Sequence, residues 1–369
     1  MTDPIFRFCD DLGPKTMAYL HDPKANLRAI LVVDNVAAGP SIGGVRMAPD
    51  VSLEECFRLA RAMTYKNAAA GIPHGGGKSV IFADPASDVS AREKLIRAFA
   101  NAIGPFTDYI AGPDMGTNEQ AMAWVQDEIG RSVGLPRELG GIPLDEIGAT
   151  GFGLATSAEV ACEHTGRSLA GARVAIQGFG SVGRHAACFL SDKGAVIVGA
   201  ADSTATVYRA DGLDAAELAA FKADGGHFSD FAGSDKADRE AVIGLDCDIL
   251  IPAARPDVIR EDNQDQVKAA LIVPGANIGV TTKAEQLLYE RGVLCLPDFI
   301  SNAGGVICAS VEYHGGSESQ TFDVIASKIS SNTREVLERS SAQGVVPREA
   351  AVEMAGERVR SAMTFRRRS

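Results

Sequence analysis

The sequence has no long apolar run and no excess of basic residues, and these absences exclude several classes of protein. No apolar stretch approaches the roughly 20 residues that a membrane-spanning helix needs. The formal net charge is −12, which disfavours nucleic-acid binding because that binding relies on clustered lysine and arginine. We interpret the one dense basic run, Arg366 to Arg368, as a solvated chain end. The first residues lack the basic and apolar regions of a secretory signal. The sequence therefore predicts a cytoplasmic protein with neither a membrane nor a nucleic acid as partner.

Cysteine and histidine are too few and too scattered to form a disulfide or metal framework. The seven cysteines are odd in number and include no C-x-x-C pair, and the six histidines show no metal-ligand spacing. Reduced thiols fit this pattern best. We predict no metal site.

The composition, 46% hydrophobic and 23% charged over 369 residues, is that of a globular protein with two domains. The run RAILVVDNV from Arg28 predicts a strand. Ser52 and Glu55 form a capping box, which predicts the start of a helix that Gly71 ends. The run SVIFAD, 79–84, predicts the next strand.

The later part of the chain changes its pattern. Short apolar runs such as ARVAIQ, AVIVGAAD and CDILIPAA alternate with helical or turn-rich stretches, which favours a parallel α/β sheet. The glycine- and proline-rich stretch 134–151 predicts the boundary between domains. We therefore expect a first α/β domain over 1–142, a Rossmann-type doubly wound domain over 143–332, and C-terminal helices over 333–369 that rejoin the first domain.

A glycine-rich turn is the strongest local motif in the sequence. The strand ARVAIQ leads into G-x-G-x-x-G, where glycines permit a tight turn and close approach of the backbone to a pyrophosphate. Asp202 follows the next apolar run, where an acid can hydrogen-bond the ribose of NAD, while Arg209 nearby leaves NADP open. The motif predicts a bound dinucleotide, NAD in preference to NADP, contacted by Gly178, Gly180, Ser181, Val182, Gly183 and Asp202.

The stretch GIPHGGGKSV, 71–80, raises the question whether Lys78 binds a nucleotide phosphate. A P-loop would need a glycine at position 72, which is Ile72 here. A P-loop also follows a strand and opens a helix, whereas this stretch is predicted to follow a helix and open a strand. The alternatives that remain are a turn with a surface lysine and a catalytic lysine.

Several stretches, taken together and in order, resemble the Glu/Leu/Phe/Val amino-acid dehydrogenase family. They are GPSIGGVRM, MTYKNAAAGIPHGGGKSVI, GPDMGTNE, ATGFG, QGFGSVG, PGAN and PDFISNAGGV, spanning residue 39 to about 313. Such enzymes convert an L-amino acid, NAD(P)+ and water to the 2-oxo acid, ammonia and NAD(P)H. The resemblance implies an N-terminal substrate domain, a Rossmann-type domain, an active-site cleft between them, and a homo-oligomer.

The resemblance also implies residue roles. Lys78 would be the general base that takes a proton from the attacking water, and a lysine does this near neutral pH only when burial or neighbouring cations lower its pKa. Asp114 would move protons to and from the amine, and Lys66 would bind the α-carboxylate. Further substrate contacts are implied for Gly44, Met63, Asn277 and Val306, and further cofactor contacts for Thr150 and Asn302.

Two positions bear on the side chain of the amino acid. The glutamate branch has a lysine where this chain has Ile42, and a serine where it has Ala309. A γ-carboxylate buried without partners is costly, so an apolar substrate such as leucine, valine or phenylalanine is favoured. Two alternatives stay open. One is a glutamate dehydrogenase with an atypical pocket, in which Arg46 could pair with the acid. The other is a catalytically silent NAD-binding regulatory protein.

Overall fold

The computed structural model of the chain describes residues 6–366, which form two compact units. Within these residues, unit 1 comprises 6–143, 306–320 and 352–366, and unit 2 comprises 144–305 and 321–351. Arg367 and Arg368 of the predicted basic end, and the first five residues, lie outside the described part. None of the helices in residues 6–366 combines the length and the apolarity that crossing a membrane would take.

Unit 1 is built on a five-stranded mixed sheet with the strand order β1-β2-β4-β3-β5. Strands β3, β4 and β5 are parallel to one another, and β2 runs antiparallel to β1 and β4. The strands are β1 (Thr16–Asp22), β2 (Leu27–Asn35), β3 (Ser41–Ala48), β4 (Gly75–Phe82) and β5 (Tyr109–Pro113), and the first helices are α1 (Leu53–Ala69), α2 (Val89–Ile103) and α3 (Glu119–Ile129).

Helix α1 begins and ends as its sequence predicts. The Ser52 hydroxyl accepts a hydrogen bond from the Glu55 N–H at 3.1 Å, and Gly71 takes the left-handed conformation with φ +63° just past the helix end. Strand β4, in contrast, starts at Gly75 and not at Ser79. The glycines belong to the strand because helix α1 lies too close to it for a side chain at Gly76. A Cβ there would lie 2.1 Å from the Thr64 nitrogen of α1. Lys78 therefore lies inside a strand and not in a turn.

The two faces of this sheet differ. One face packs on α2 and α3 through a core that includes Leu31, Ile81 and Phe99. The other carries Val80, which packs on Cys56 and Ala60 of α1. Because side chains alternate along a strand, the α1 face also receives Ile42, Gly44 and Arg46 from β3, Lys78 from β4, and Ile110 and Gly112 from β5, with Asp114 just past its end.

Unit 2 has a seven-stranded sheet with the order β12-β11-β10-β6-β7-β8-β9. Its elements are α4 (Ala149–His164), β6 (Arg173–Gln177), α5 (Ser181–Asp192), β7 (Val196–Ala201), β8 (Thr206–Leu213), α6 (Ala215–Ala223), β9 (Asp235–Ala237), β10 (Ile249–Pro252), β11 (Leu271–Ile272), α7 (Thr282–Glu290), β12 (Leu294–Cys295) and α8 (Asp298–Ser301). The chain continues with α9 (Gly304–Tyr313), α10 (Glu318–Gln343) and α11 (Pro347–Phe365), each divided between the two units.

The sheet of unit 2 is doubly wound, and its strand order reverses at β6. Ligands of such sheets bind at the carboxyl end of the strand where the order reverses. The predicted strands of this sheet are parallel to one another, as expected, and β8 and β9 add an antiparallel edge that was not predicted. The cause is a short turn after β7, where the Asp202 N–H donates to the Ala205 carbonyl at 3.0 Å and sends the chain straight back.

The C-terminal helices divide differently from the predicted domains. Residues 306–320, which were expected in the second domain, belong to unit 1, and residues 333–351, which were expected with the first domain, belong to unit 2. Their apolar face explains this, since Leu337 joins the core that contains Leu154. From residue 352 the chain belongs to unit 1, where Arg358 donates to the Ala68 and Ala69 carbonyls at the end of α1.

Candidate active site

The central feature of unit 1 is an ion pair between Lys78 and Asp114. Lys78 Nζ contacts Asp114 Oδ2 directly, and the two side chains are only 7% and 21% exposed. Gly44, on the neighbouring strand, makes room for the pair, because a Cβ there would lie 2.7 Å from Asp114 Cβ and 3.0 Å from Lys78 Nζ. The structure thus brings together three of the predicted site residues, which lie at separate positions in the sequence.

Arg46 completes the charge network. Its Nε lies 3.3 Å from Asp114 Oδ2, and its Nη1 donates to Glu55 Oε1 at 2.6 Å. Burial pushes the pKa of Asp114 upward, but the nearby Lys78 and Arg46 charges outweigh it and hold that pKa below its ordinary value. Asp114 is therefore a carboxylate at neutral pH. Because Arg46 already contacts two carboxylates, we consider it a poorer partner for an acidic substrate than the sequence suggested.

An apolar cluster lies on the same sheet. Ile42 pairs in register with Ile110, and both pack with Val133 and with Ala309 of α9. Val306, one turn before Ala309 on α9, is half-buried. Gly112 pairs with Gly44 two residues further along the strands, and neither glycine has open space beside it, since a Cβ on Gly44 would meet the ion pair and one on Gly112 would lie 3.3 Å from Val133.

Helix α1 supplies the remaining predicted substrate residues of unit 1. Lys66 lies in its last turn, where a cation interacts favourably with the helix dipole. Met63 is half-buried one turn earlier. The helix is held close to the sheet by the contact of Thr64 with Gly76, so that Lys66 belongs to the element that packs on the Lys78 face.

In unit 2, the glycine-rich turn after β6 has the geometry that a dinucleotide needs. Gly178 has φ +94°, and a Cβ on Gly183 would lie 2.0 Å from the Gly178 carbonyl oxygen. Gly180 is the N-cap of α5, no side chain caps that end, and nothing lies within 4 Å of its Cβ position. The Ser181 hydroxyl donates to the Asp145 carbonyl at 3.1 Å. Free N–H groups and open space at the helix start suit a pyrophosphate.

A cavity of about 720 Å³ adjoins this turn and contains Gly178, Gly180, Asp202 and Ser203 in its lining. Four cationic side chains also line it, and they are Lys222, Arg239, Arg255 and Arg260. The volume is within the range of small-molecule and cofactor sites. The residues present therefore fit a nicotinamide dinucleotide.

Asp202 does not have the free carboxylate that the motif predicts. Its Oδ1 accepts from the Thr204 N–H and hydroxyl at 2.8 and 2.6 Å, and its Oδ2 accepts from Lys222 Nζ and the Phe228 N–H at 2.7 and 2.9 Å. Burial raises its pKa, but these donors outweigh burial and hold the pKa well below its ordinary value. The side chain is 6% exposed. Asp202 therefore stabilises the turn after β7. Because its carboxylate is already hydrogen-bonded within the protein, it is a weaker reason to expect that a cofactor with a 2′-phosphate is rejected.

Three further predicted residues, Asn277, Asn302 and Thr150, lie in unit 2. Asn302 Nδ2 donates to Asn277 Oδ1 at 3.0 Å and to the Gly275 carbonyl at 3.2 Å. A Cβ on Gly275 would lie 3.0 Å from Val182, which connects the loop at Gly275 to the glycine-rich turn. The Thr150 hydroxyl would lie 3.2 Å from a Cβ on Gly305. The structure thus groups Asn277 with Asn302 and Val182.

Several residues of these sites were missed from the sequence. Glu55 was interpreted only as part of a capping box, although its side chain also binds Arg46. Ile110 and Val133 carry no motif, and only the fold brings them to Ile42. Asp298 was also missed. Its Oδ2 accepts from the N–H of Ile278, the residue after Asn277, at 2.8 Å, and Arg348 binds its Oδ1 at 2.6 Å. The one sequence signal for this arrangement was the alternation of Ile42, Gly44 and Arg46, which places these three residues on one face of β3.

Among residues 6–366 no group of three or more His, Cys, Asp or Glu side chains is arranged to hold a metal ion.

Comparison with known families accounts for nearly the whole chain. The family described as "Glu/Leu/Phe/Val dehydrogenase, dimerisation domain" matches residues 16–131, and "Glutamate/Leucine/Phenylalanine/Valine dehydrogenase" matches residues 140–367. The chain belongs to the Glu/Leu/Phe/Val dehydrogenase family. It is an NAD(P)-dependent amino-acid dehydrogenase, an oxidoreductase that acts on a CH–NH2 group.

Relatives of this dehydrogenase include glutamate dehydrogenases. The chain is 37% identical to glutamate dehydrogenase of Aeropyrum pernix over 90% of this chain and 85% of that protein. It is 36% identical to the NADP(+)-dependent glutamate dehydrogenase of Pyrobaculum calidifontis over 91% of this chain and 85% of that protein.

Solved structures agree with the fold. The hetero-hexameric glutamate dehydrogenase of Thermus thermophilus, in its leucine-bound form, superposes with a TM-score of 0.83 at 30% identity, over 95% of this chain and 90% of that one. L-tryptophan dehydrogenase of Nostoc punctiforme superposes with a TM-score of 0.76 at 25% identity, over 96% of this chain and 98% of that one.

Proposed function

We propose that this dehydrogenase catalyses the reversible oxidative deamination of an L-amino acid to its 2-oxo acid and ammonia. The observation that carries the proposal is the largely buried Lys78–Asp114 ion pair, for which Gly44 makes room. L-glutamate is the first substrate to consider, because the relatives at 36–37% identity are named glutamate dehydrogenases. This order differs from the preference for an apolar substrate that the sequence alone suggested.

The residues of unit 1 would divide the chemistry among themselves. Lys66 binds the α-carboxylate and fixes the orientation of the substrate. Lys78 takes the proton from the water that attacks the iminium carbon, and Asp114 moves a proton to and from the substrate nitrogen. Arg46 and Glu55 hold Asp114 in place. Bound NAD(P)+ would supply the acceptor for the hydride that leaves Cα.

A second candidate, an amino acid with an apolar side chain, is favoured by a specific observation. Ile42 and Ala309 are 4% and 7% exposed and pack with the apolar side chains of Ile110 and Val133. A γ-carboxylate placed against that cluster would lose its water without gaining a cation, a cost that reduces kcat/KM by orders of magnitude. One structural relative is named L-tryptophan dehydrogenase, which supports this candidate.

A panel of amino acids decides between the two candidates. Purified protein is assayed with L-glutamate, L-leucine, L-valine, L-phenylalanine and L-tryptophan, with NAD+ and NADP+ separately, by the absorbance of the reduced nicotinamide. Turnover of glutamate alone would sink the apolar assignment, and turnover of apolar amino acids alone would sink glutamate. Binding of NADH without turnover of any amino acid would instead favour the regulatory protein.

A paired variant sharpens the result. Ile42→Lys with Ala309→Ser restores both polar groups of the glutamate branch. We expect it to raise kcat/KM for glutamate relative to leucine by at least about tenfold if the cluster faces the substrate side chain. Val89→Lys, which adds a lysine at an exposed position of α2, is the matched control and should change neither value.

The cofactor and the assembly complete the proposal. NAD remains the first candidate. We propose NADP as a second cofactor because the Asp202 carboxylate is already bound by Lys222 and because Arg255, a cation that could bind a 2′-phosphate, lines the cavity. The ratio of kcat/KM for NAD+ and NADP+ in the same panel tests this. We also propose a homo-oligomer assembled through unit 1, on the description of the matching N-terminal family as a dimerisation domain, and sedimentation velocity tests it. The cytoplasmic location remains a prediction from the sequence.

A further inference from the structure

Glu312, in the last turn of α9, is a half-buried carboxylate that none of the proposed chemical steps uses. Its Oε1 accepts hydrogen bonds from the N–H groups of Gly134 at 2.8 Å and Leu135 at 3.2 Å. Its Oε2 accepts from the N–H of Ile142 at 2.8 Å. Both oxygens of one side chain are therefore held by the backbone of a single loop, 134–142.

The loop is shaped by glycines that no other residue could replace without a displacement. Gly134 has φ +72°, and a Cβ there would lie 2.6 Å from Pro113, the residue before Asp114. A Cβ on Gly141 would lie 1.8 Å from the Leu135 carbonyl oxygen. The two ends of the loop can thus turn their N–H groups toward one point, and the Glu312 carboxylate occupies that point.

This contact joins the two segments that meet in the apolar cluster. Val133 directly precedes Gly134, and Ala309 lies one helical turn before Glu312 on α9. Val133 and Ala309 are 2% and 7% exposed and pack together with Ile42 and Ile110. The spacing between Val133 and Ala309 therefore depends on how firmly the loop is held to the helix.

We infer that Glu312 is a positioning residue that determines side-chain specificity. By holding loop 134–142 on α9, it fixes the separation of Val133 and Ala309 and so the size of the side chain that the cluster accepts. The inference rests on the proposed function, in which this cluster faces the side chain of the substrate. The inference applies to an acidic or an apolar substrate, because it concerns only the distance between Val133 and Ala309.

The test compares Glu312→Gln with a matched control. Glutamine keeps one acceptor oxygen but places an NH2 group where the other oxygen accepted an N–H. The control is Glu318→Gln, which removes the same charge from an exposed ion pair with Arg137 of the same loop, at 2.7 Å. The measured quantity is the ratio of kcat/KM for the preferred amino acid and for one with a smaller side chain.

We expect Glu312→Gln to change this ratio by about tenfold, mostly through KM for the amino acid. KM for NAD(P)+ and the pH profile of kcat should not move, since Glu312 binds the loop and not the ion pair. Glu318→Gln should match the unmodified protein. If Glu312→Gln fails to fold, Glu312→Asp, which keeps the charge on a shorter side chain, is measured in its place and should change the ratio in the same direction.

A third variant separates failure of this inference from failure of the proposed function. Ile42→Ala enlarges the cluster directly. If Ile42→Ala changes the ratio and neither Glu312 variant does, the role of Glu312 is overturned and the proposed pocket stands. If Ile42→Ala leaves the ratio unchanged, the cluster is not the side-chain pocket, and both the apolar-pocket candidate and the role of Glu312 fall, while the proposed deamination at Lys78 and Asp114 is judged by turnover alone.

Discussion

His74, four residues before Lys78, is a buried histidine whose charge state should control the stability of unit 1. Its side chain is enclosed, Nδ1 lies 3.0 Å from the Pro40 carbonyl oxygen, and Nε2 has no hydrogen-bond partner among the described residues. The rings of Tyr313 and His314 lie 5.6 and 5.2 Å away, centroid to centroid. Burial lowers the pKa of His74 to about 4, and the nearby His314 acts in the same direction while the Pro40 carbonyl opposes them.

The sign and size of the effect follow from linkage. Well above pH 6.5, the ordinary pKa, His74 is neutral in both the folded and the unfolded chain, and its contribution to stability is complete. As the pH falls toward 4, the unfolded chain takes up a proton at His74 and the folded chain does not, so the free energy of unfolding decreases. The difference between 6.5 and about 4, at about 1.4 kcal/mol for each pH unit, amounts to about 3–4 kcal/mol.

The single tryptophan makes this measurable. Trp124 lies in α3 and packs against the core of unit 1, so its fluorescence reports the unfolding of that unit in urea. His74→Phe keeps an aromatic ring and removes the titrating group. We expect the loss of unfolding free energy between pH 7 and about pH 4.5 to be smaller by about 2–3 kcal/mol in His74→Phe than in the unmodified protein. His21→Phe, exposed on strand β1, is the control and should keep the full loss. An unchanged pH dependence in His74→Phe would refute the reasoning.

Three further predictions concern the proposed chemistry and the cofactor. Lys78→Ala should abolish turnover and leave the affinity for NAD(P)H nearly unchanged, as measured by fluorescence titration, because Lys78 lies in unit 1 and the glycine-rich turn in unit 2. Residual turnover with a large loss of cofactor affinity would contradict the assignment, whereas Lys66→Ala should mainly raise KM for the amino acid. Gly183→Ala should weaken cofactor binding at least about tenfold, because its methyl group would lie 2.0 Å from the Gly178 carbonyl and displace the turn. Gly244→Ala, whose methyl group meets nothing closer than 3.7 Å, should bind the cofactor normally, and equal affinity in the two variants would exclude the role of Gly183.

Local signals predicted the parts of the fold that depend on local physics. The capping box at Ser52 and the glycine after α1 place that helix, and strand β6, its glycine turn and α5 follow in the expected order. The start of β4 was missed because three consecutive glycines favour a turn when taken alone. Only the packing of β4 against Asn35 and Thr64 explains why they form a strand.

The candidate site, like the fold, was predicted from the sequence only in part. The family motifs identified Lys78, Asp114 and Gly44, and the structure brings these three together. No pattern in the sequence indicates that Lys222, which is 20 residues further along the chain, occupies the Asp202 carboxylate. Likewise, Glu312 and loop 134–142 meet only through the fold, because hydrogen bonds to backbone N–H groups leave no trace in residue type.

The end of α1 carries a consequence for the order in which this protein can fold during synthesis. Arg358 satisfies the Ala68 and Ala69 carbonyls, and Met363 lies 3.8 Å from Asn35 Nδ2. Residues 352–366 leave the ribosome only after all of unit 2 has been made. Helix α1, which carries Lys66, therefore gains its last contacts only when residues 352–366 have been made. Unit 2 can complete its core earlier. A nascent chain halted before residue 352 should hold the dinucleotide and lack a finished amino-acid site.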